Sequence, residues 1–353
     1  MKNDFHLKLI DNNHRHLRFA CMGKSKSGFL WYMRCKQLVF YGKLFLKDVS
    51  IDELTYEEAA NAKTSYDGAI FIKETPKPEM WPIIKKKFRN IYLDVVDGGI
   101  SLKGYEIDFK FLKMQDPPPV LIVQNVYQQK LYNDTFKTFI IEHMPASLNQ
   151  TELVDVLSFR HPLQAVSTME GELSRGVCEE IKTKSVLLKC LSTDNGNTLR
   201  KRRNKHRKPW NYGAKKVLEK ELNVKYADYA PKIWGVPWLF TQLFRKYDVV
   251  VVFTKKGEKL TINSAQRMTN AINAGVITVI QRTGVHAIYV PERYPCGFIN
   301  QNDLKIVLEK LDQNVSMRIE CQKQAVPLIN PFRPKTIINK YYDMLTYNLN
   351  DHS

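Results

Sequence analysis

A short segment in the C-terminal half combines small polar residues with an arginine at spacings that could bind an anion. Asn263 can act as a helix N-cap, with Gln266 three residues later reaching back as in a capping box. Ser264, Arg267 and Asn270 then recur on one stripe of the helix that follows. Because the free amides and the dipole of a helix N-terminus favour negative charge, this stripe predicts an anion site. A solvated polar face without a ligand is the alternative interpretation.

The same segment predicts how the helix is held in the fold. Apolar residues recur at the three-four spacing that buries one helical face: Ala265, Met268, Ala271 and Ile272. Gly275 follows where a helix ends in the left-handed conformation. Residues 276–280 are an unbroken, mostly β-branched run, which predicts a strand covered on both faces. We therefore expect a helix that returns directly to a buried strand.

The wider chain alternates apolar runs with short helical patterns. Strands are expected at 17–23, 66–73, 90–99, 119–125, 138–145, 153–159 and 248–253, and residues 185–192 form either a strand or a short helix. Helices are expected at 29–40, 79–88, 239–247, 302–313 and 334–347, the fourth capped by Asn302 or Asp303. Strands separated by short helices predict parallel, doubly wound α/β sheets, which bind ligands at the carboxyl ends of their strands.

The composition narrows the class of protein. The chain has 353 residues and is 44% hydrophobic, which excludes general disorder. Its net charge of +18 predicts anionic partners, among them nucleic acid, an anionic membrane surface and phosphorylated substrates. Residues 200–208 contain seven Lys or Arg, with Trp210 and Tyr212 nearby. This basic run is interpreted as a solvated loop, a nucleic-acid patch, a nuclear import signal or a membrane anchor.

The location is predicted from what the sequence does not contain. No apolar run is long enough to span a bilayer, and the N-terminus has no signal-peptide core. The six cysteines are scattered without a CxxC pair, which argues against a zinc site and a disulfide framework. We expect a cytoplasmic protein, with peripheral membrane association and a nuclear location left open.

Residues 238–345 carry a resemblance to a known family. In order, they contain YDVVVVF, INSAQRMTNAINAG, VITVI, RTGVHAIYV, CGFI, NDLKIVLEKL and FRPKTIINKYYDML. This order resembles the C-terminal domain of GT-B glycosyltransferases of the group 1 type. CMGKSKSGFLWYMR and TFIIEHMP resemble the entry loop and the closing strand of the N-terminal domain in that class.

The resemblance implies an architecture and an activity. It implies two Rossmann-like domains facing a central cleft: an acceptor domain at 1–150 and a nucleotide-sugar domain at 151–330. A C-terminal helix at 331–353 would cross back to the first domain. The implied activity is metal-independent transfer of a sugar from a nucleotide-sugar to a glycan or other acceptor, with no further cofactor.

The resemblance also assigns roles on the donor side. Arg267, with the amides near Ser264, would bind the donor phosphates, whose leaving group gains negative charge during transfer. Arg160 would meet the cleft at the end of the strand at 153–159, and Gly284 would bring backbone near the donor. Asn270 stands where many family members have a ribose-binding Glu, and it cannot act as a carboxylate. Asn263 completes the expected donor set.

The catalytic and acceptor-side candidates come from the first half of the chain. His143 would contact the sugar or act as a base, and Asp97 is the other base candidate. Ser25, Ser27 and Gly28 would place amides near the acceptor or a phosphate. Two alternatives stay open: a nucleic-acid-binding protein that uses residues 200–212, and a degenerate transferase that only binds a glycan or a partner.

Overall fold

The computed structural model describes most of the chain. The described residues are 16–23, 26, 31–73, 75–96, 107–145, 153–167, 186–190, 217–229, 235–254 and 265–350. The chain divides into two compact units. The first unit contains residues 1–94, 101–121 and 338–353, and the second contains residues 95–100 and 122–337. The boundaries expected near residues 150 and 330 stay predictions.

Within the described residues, six strands form a first sheet in the order β2-β1-β3-β4-β5-β6. They are β1 (Leu17–Gly23), β2 (Val49–Thr55), β3 (Tyr66–Ile72), β4 (Phe88–Asp94), β5 (Val120–Val123) and β6 (Thr138–Ile140). β1 pairs in parallel with β2 and β3, and β3 pairs in parallel with β4. Every residue of β3 is buried, as expected for a strand with helices on both faces. β2 was not predicted from the sequence.

Short helices connect these strands. They are a π-helical turn at Tyr32–Lys36, α1 (Gln37–Phe45), α2 (Tyr56–Asn61), a 3₁₀ turn at Pro78–Met80, α3 (Trp81–Lys87), α4 (Phe109–Lys113) and α5 (Val126–Tyr132). The helix expected at 29–40 thus continues to Phe45, five residues further than the pattern indicated. α2, which was not predicted, begins with a capping box in which Thr55 and Glu58 exchange hydrogen bonds.

The second sheet contains, among the described residues, five strands in the order β11-β10-β9-β7-β8. They are β7 (Leu163–Ser167), β8 (Val186–Cys190), β9 (Val249–Val252), β10 (Ile277–Gln281) and β11 (Gly297–Phe298). All four neighbouring pairs are parallel. The predicted parallel α/β organisation is therefore confirmed in both sheets.

Further helices occur along the described second half of the chain. They are α6 (Gly235–Arg245), α7 (Gln266–Asn273), α8 (His286–Tyr289), α9 (Gln301–Gln313), α10 (Val315–Leu328) and α11 (Pro334–Asn350), with 3₁₀ turns at Val156–Ser158, Tyr226–Asp228 and Asn330–Phe332. α10 was not predicted. The N-cap of α9 is Asn300, whose side chain bonds the Asp303 amide while the Asp303 carboxylate bonds the Asn300 amide.

The position of the first strand of the second sheet differs from the prediction. The sequence pattern predicted a strand at 153–159, but this stretch contains a 3₁₀ turn whose first amides are capped by the Asp155 side chain. The first strand of the sheet is β7, which begins at Leu163 directly after Pro162. Five of the seven residues at 153–159 are apolar, as in a strand, and Val156 is buried although the segment forms no strand. Arg160 therefore precedes the strand instead of ending it.

The cysteines also depart from expectation. Cys296, directly before β11, and Cys321 in α10 form a disulfide with a Cα–Cα distance of 5.9 Å, and both are buried. The scattered spacing had argued against disulfides. Their 25-residue separation carries no recognisable motif, and the pair meets because α10 packs against β10, the strand that pairs with β11.

Helix α11 is the last element of the described chain. In the first unit, the Tyr342 hydroxyl donates to the Asp48 carboxylate at 3.2 Å, and Tyr341 is buried. None of the described helices is long and apolar enough to cross a membrane.

Candidate functional site

The second sheet contains a topological switch point between β7 and β9. These two strands are neighbours, but β8 lies beyond β7 whereas β10 and β11 lie beyond β9. The chain therefore leaves the carboxyl ends of β7 and β9 in opposite directions, which opens a crevice between their connections. Open parallel sheets bind ligands in this crevice.

A small pocket lies at this point. The space between its lining atoms is about 210 Å³, which includes open solvent, and it leaves essentially no room for the centre of a water molecule. It is therefore a shallow indentation and not a cavity that holds a whole ligand. The described residues that line the pocket are Ser167, Phe244, Val250, Val251, Val252, Phe253 and Arg267. Arg267 is the charged residue among them, so the pocket favours an anionic group.

Ser167 contributes a polar atom to the pocket. It ends β7 and is 1% exposed. Its hydroxyl has no hydrogen-bond partner among the described residues. Because a buried hydroxyl without a partner is costly, a partner from a ligand or from the undescribed part of the chain is expected. The sequence analysis missed Ser167 because it placed the first strand of this sheet too early.

Arg267 reaches the pocket from the first turn of α7. The predicted N-cap at Asn263 is wrong, because the helix begins at Gln266 and its N-cap position is occupied by Ala265. Ala265 offers no side-chain hydrogen bond to the first-turn amides. Those amides and the helix dipole favour an anion beside Arg267. The buried stripe of α7 and the left-handed Gly275 (φ 76°) agree with the sequence prediction.

Asn270 belongs to a hydrogen-bond network with the first residue of the helix. The Gln266 amide donates to the Asn270 carbonyl oxygen at 2.9 Å and to the backbone oxygen of Met144 at 2.9 Å. Gln266 is 9% exposed, and its own Oε1 has no partner among the described residues. One lone pair of the Asn270 oxygen is therefore already used. This arrangement could not be predicted, because it joins residues 122 positions apart.

A second polar cluster lies at the carboxyl ends of β9 and β10. Gln281 Oε1 accepts hydrogen bonds from the amide and the hydroxyl of Thr254, each at 3.0 Å. The Thr254 and Thr283 hydroxyl oxygens are 2.5 Å apart. Hydroxyl residues placed directly after two neighbouring strands were the signal that the sequence analysis overlooked. They provide donors and acceptors beside the switch point.

His286 follows this cluster and remains neutral. Burial lowers its pKa to about 4, the Gln281 backbone oxygen raises it, and the charge of Arg267 lowers it further. Its Nδ1 lies 3.3 Å from that carbonyl oxygen, which can only accept, so Nδ1 carries the proton. Gly284, in the loop before His286, adopts φ 56° as expected for a turn glycine. The role of Gly284 near a donor stays a prediction.

His143 follows β6 with Glu142, and both are buried. His143 is 4% exposed. The Tyr289 hydroxyl lies 3.5 Å from Glu142 Oε1. Burial raises the pKa of Tyr289, and the Glu142 charge raises it further. The role of His143 as a base stays a prediction.

Arg160 does not lie at the switch point. It precedes β7, and its guanidinium bonds the Asp248 carboxylate at 3.2 Å and the Lys246 backbone oxygen at 2.8 Å. Asp248 directly precedes β9, so both residues stand at the amino ends of their strands. The prediction that Arg160 ends a strand at the donor site is wrong. Its contacts give it a structural role.

Several predicted residues lie outside the described part of the chain. They are Ser25, Ser27, Gly28, Asp97, Asn263, Ser264 and the basic run at 200–208. Among the described residues, no group of three or more His, Cys, Asp or Glu could hold a metal ion. Independence from metal stays a prediction.

Comparison with known proteins gives similarity at the level of structure. No protein-family model matches the sequence, and no curated protein sequence matches it. Sucrose-phosphate synthase from Thermosynechococcus elongatus has a TM-score of 0.60 at 10% identity, over 96% of this chain and 100% of that chain. HepE from Anabaena, in complex with UDP and glucose, has a TM-score of 0.58 at 10% identity, over 94% and 100%.

A third structure is a mutant of T4 phage BGT in complex with UDP-glucose. Its TM-score is 0.53 at 9% identity, over 93% of this chain and 99% of that chain. These neighbours are GT-B glycosyltransferases, and the similarity covers nearly the full length of each. The chain therefore has the GT-B fold that the resemblance implied.

Proposed function

We propose that this protein is a glycosyltransferase that binds the diphosphate of a nucleotide-sugar at the carboxyl edge of its second sheet. The fold supports this proposal, because proteins of similar fold bind UDP and UDP-glucose. The observation that carries it is the pocket at the β7–β9 switch point, which Arg267 and Ser167 both line. The pocket itself leaves no room for a phosphate, so we propose that the diphosphate contacts Arg267 at the pocket opening.

The chemistry of sugar transfer fits these groups. As the bond from the anomeric carbon to the diphosphate breaks, negative charge accumulates on the leaving phosphate. A guanidinium and helix amides stabilise that charge where it develops, which removes the need for a metal ion. The neutral His286 adds no positive charge of its own, so Arg267 is the cation that we assign to this task.

The remaining candidates take roles around the diphosphate. We assign hydrogen bonds with the hydroxyls of the transferred sugar or of the ribose to the Thr254–Thr283 cluster, to Asn270 and to the backbone at Gly284. Ribose binding through Asn270 would rest on an amide instead of the carboxylate common in the family. We assign binding of the acceptor substrate to the first half of the chain. The base that takes the proton of this substrate is assigned there as well, with His143 and Asp97 as candidates.

Nucleotide binding tests the proposal directly. Thermal unfolding is measured with a panel of nucleoside diphosphates and nucleotide-sugars, for the natural protein and for Arg267→Ala. A ligand at about a hundred times its dissociation constant should add about 2.7 kcal/mol of stability. Losing a charge-assisted contact with a phosphate should weaken binding by about 2 kcal/mol, roughly thirtyfold.

Arg160→Ala is the matched control, because it removes an arginine from the opposite edge of the same sheet. We expect its nucleotide response to equal that of the natural protein. Equal responses of the two variants would contradict the assignment of Arg267. The protein could also bind a nucleotide-sugar but release no nucleotide from it when varied acceptors are present. This result would identify the degenerate transferase instead.

The basic run at 200–208 favours one other function. Seven cations in nine positions suit a nucleic-acid backbone. If no nucleotide stabilises the protein while DNA or RNA binds with steep salt dependence that is lost on neutralising the run, the nucleic-acid interpretation replaces the transferase.

A further inference from the structure

Helix α1 in the first unit has an unusual composition for a helix at the surface. Six of its nine residues are large and apolar or aromatic. Its inner face is formed by Gln37, Leu38, Tyr41 and Gly42, all buried. A Cβ atom at Gly42 would lie 3.4 Å from the Ile51 side chain, so this face packs closely on β2. The sheet therefore accounts for one side of α1 only.

The opposite side of α1 is apolar as well. Phe40, Leu44 and Phe45 are 41%, 63% and 38% exposed. Phe40 and Leu44 are four residues apart and share one helical face, and Phe45 ends the helix beside them. The solvent side of a surface helix is normally polar. We call these three residues the α1 apolar face. A contiguous exposed apolar face of this kind is typical of an interaction surface.

Two lysines lie beside this face. Lys43 lies on the same face, Lys47 follows the helix, and both are exposed. Residues 31–47 contain no Asp or Glu. Arg34 does not contribute to the surface, because it is buried in an ion pair with Asp94. The nearest acidic residue in sequence, Asp48, accepts the hydrogen bond of the Tyr342 hydroxyl.

We propose that the α1 apolar face, with Lys43 and Lys47, docks on the surface of an anionic lipid bilayer. Apolar side chains that enter the boundary of the acyl chains and lysines that remain among anionic headgroups are the two parts of such a contact. A second copy of this chain fits less well. A symmetric contact would bring the same lysines of two copies together, in a protein whose net charge is +18.

Co-sedimentation with vesicles tests the docking surface. The purified full chain is mixed with vesicles of phosphatidylcholine alone or of phosphatidylcholine with phosphatidylserine. We expect binding to the second kind. Leu44→Glu should weaken it about tenfold, because an apolar contact is lost and a carboxylate meets anionic lipid. Lys43→Gln and Lys47→Gln should each weaken it by about fivefold at low salt.

Leu131→Glu is the matched control, since Leu131 is 60% exposed in α5, close to the 63% of Leu44. This variant should bind vesicles as the natural protein does. Unchanged thermal unfolding of Leu44→Glu shows that the fold is intact, as expected for an exposed position.

Three results would overturn the proposal. The first is equal binding by Leu44→Glu and the natural protein, which would assign any lipid affinity to another surface such as the basic run. The second is equal binding to both kinds of vesicle. The third is a dimer in light scattering that Leu44→Glu converts to a monomer, which would assign the face to a second copy.

Discussion

At the amino edge of the second sheet, Arg160 forms hydrogen bonds with the Asp248 carboxylate and the Lys246 backbone oxygen, whereas at the carboxyl edge Arg267 lines a small pocket together with Ser167. The Asp248 carboxylate connects the residues at the amino edge. It accepts two hydrogen bonds from the Arg160 guanidinium and one from the Gln164 backbone amide, and its side chain is 8% exposed. The carboxyl edge instead contains a buried hydroxyl at Ser167 without a partner among the described residues.

The difference follows from the topology of parallel strands. Both edges expose backbone groups that must be satisfied. At the amino edge of β7 and β9, the chain satisfies them with its own side chains, which stabilises the sheet. At the carboxyl edge the connections diverge at the switch point, so polar groups face a space that a ligand can enter. We therefore expect substitutions at the amino edge to change stability and substitutions at the carboxyl edge to change binding.

Removing Asp248 should give the largest change in stability. Asp248→Ala deletes a mostly buried acceptor and leaves the Gln164 amide and the Arg160 guanidinium without it. We expect the free energy of unfolding to fall by about 3 kcal/mol, measured by urea denaturation. Asp248→Asn, which retains one acceptor oxygen, should lose less. If Asp248→Ala lost nucleotide binding while its stability stayed unchanged, the expectation that the amino edge determines stability and the carboxyl edge determines binding would be contradicted.

The neutral His286 predicts a pH dependence at the carboxyl edge. Its folded pKa is about 4, against about 6.5 when unfolded, so the unfolded state binds more protons between these values. Stability is therefore complete above about pH 6.5 and falls as the pH drops toward 4. At about pH 5 the loss should be about 2 kcal/mol.

His286→Asn retains a donor for the Gln281 oxygen but does not titrate. In urea denaturation at neutral and acidic pH, this variant should lose most of the pH dependence that the natural protein shows over this range. His161→Gln provides the comparison, since the His161 side chain is 75% exposed. Equal pH dependence of the natural protein and His286→Asn would show that other groups cause it.

Removing Arg160 should have the smallest effect. Its side chain is 52% exposed, so solvent screens its pair with Asp248. We expect Arg160→Ala to lower the free energy of unfolding by about 1 kcal/mol in urea denaturation, without changing nucleotide affinity. A larger loss than that of Asp248→Ala would mean that the arginine, not the carboxylate, organises the amino edge.

The sequence predicted the parts of the fold that depend on local pattern. Strand β3 and the α7–β10 connection were confirmed because apolar periodicity and Gly275 mark them within a few residues. The strand expected at 153–159 was wrong because an irregular segment that packs on a core can be as rich in apolar residues as a strand. β2 and α2 were missed, although Thr55 and Glu58 have the spacing of a capping box.

The candidate site was predicted less completely. Arg267 was selected because the sequence places it near the N-terminus of a helix. The structure adds that this side chain lines a pocket. Ser167 and Thr254 were not selected, because a hydroxyl after a strand indicates a ligand site only once the strand order is known. Arg160 was selected through a misplaced strand, and its ion pair with Asp248 joins residues 88 positions apart.

The sequence by itself determined the alternation of helices and strands, the burial of one face of α7 and the excess of positive charge. These properties depend on residue type and on spacings of two to four residues. Only the tertiary structure decided the strand order, and with it the position of the switch point, the Cys296–Cys321 disulfide and the neutral state of His286. Each of these depends on residues that are distant in sequence and meet through packing, which no local pattern encodes.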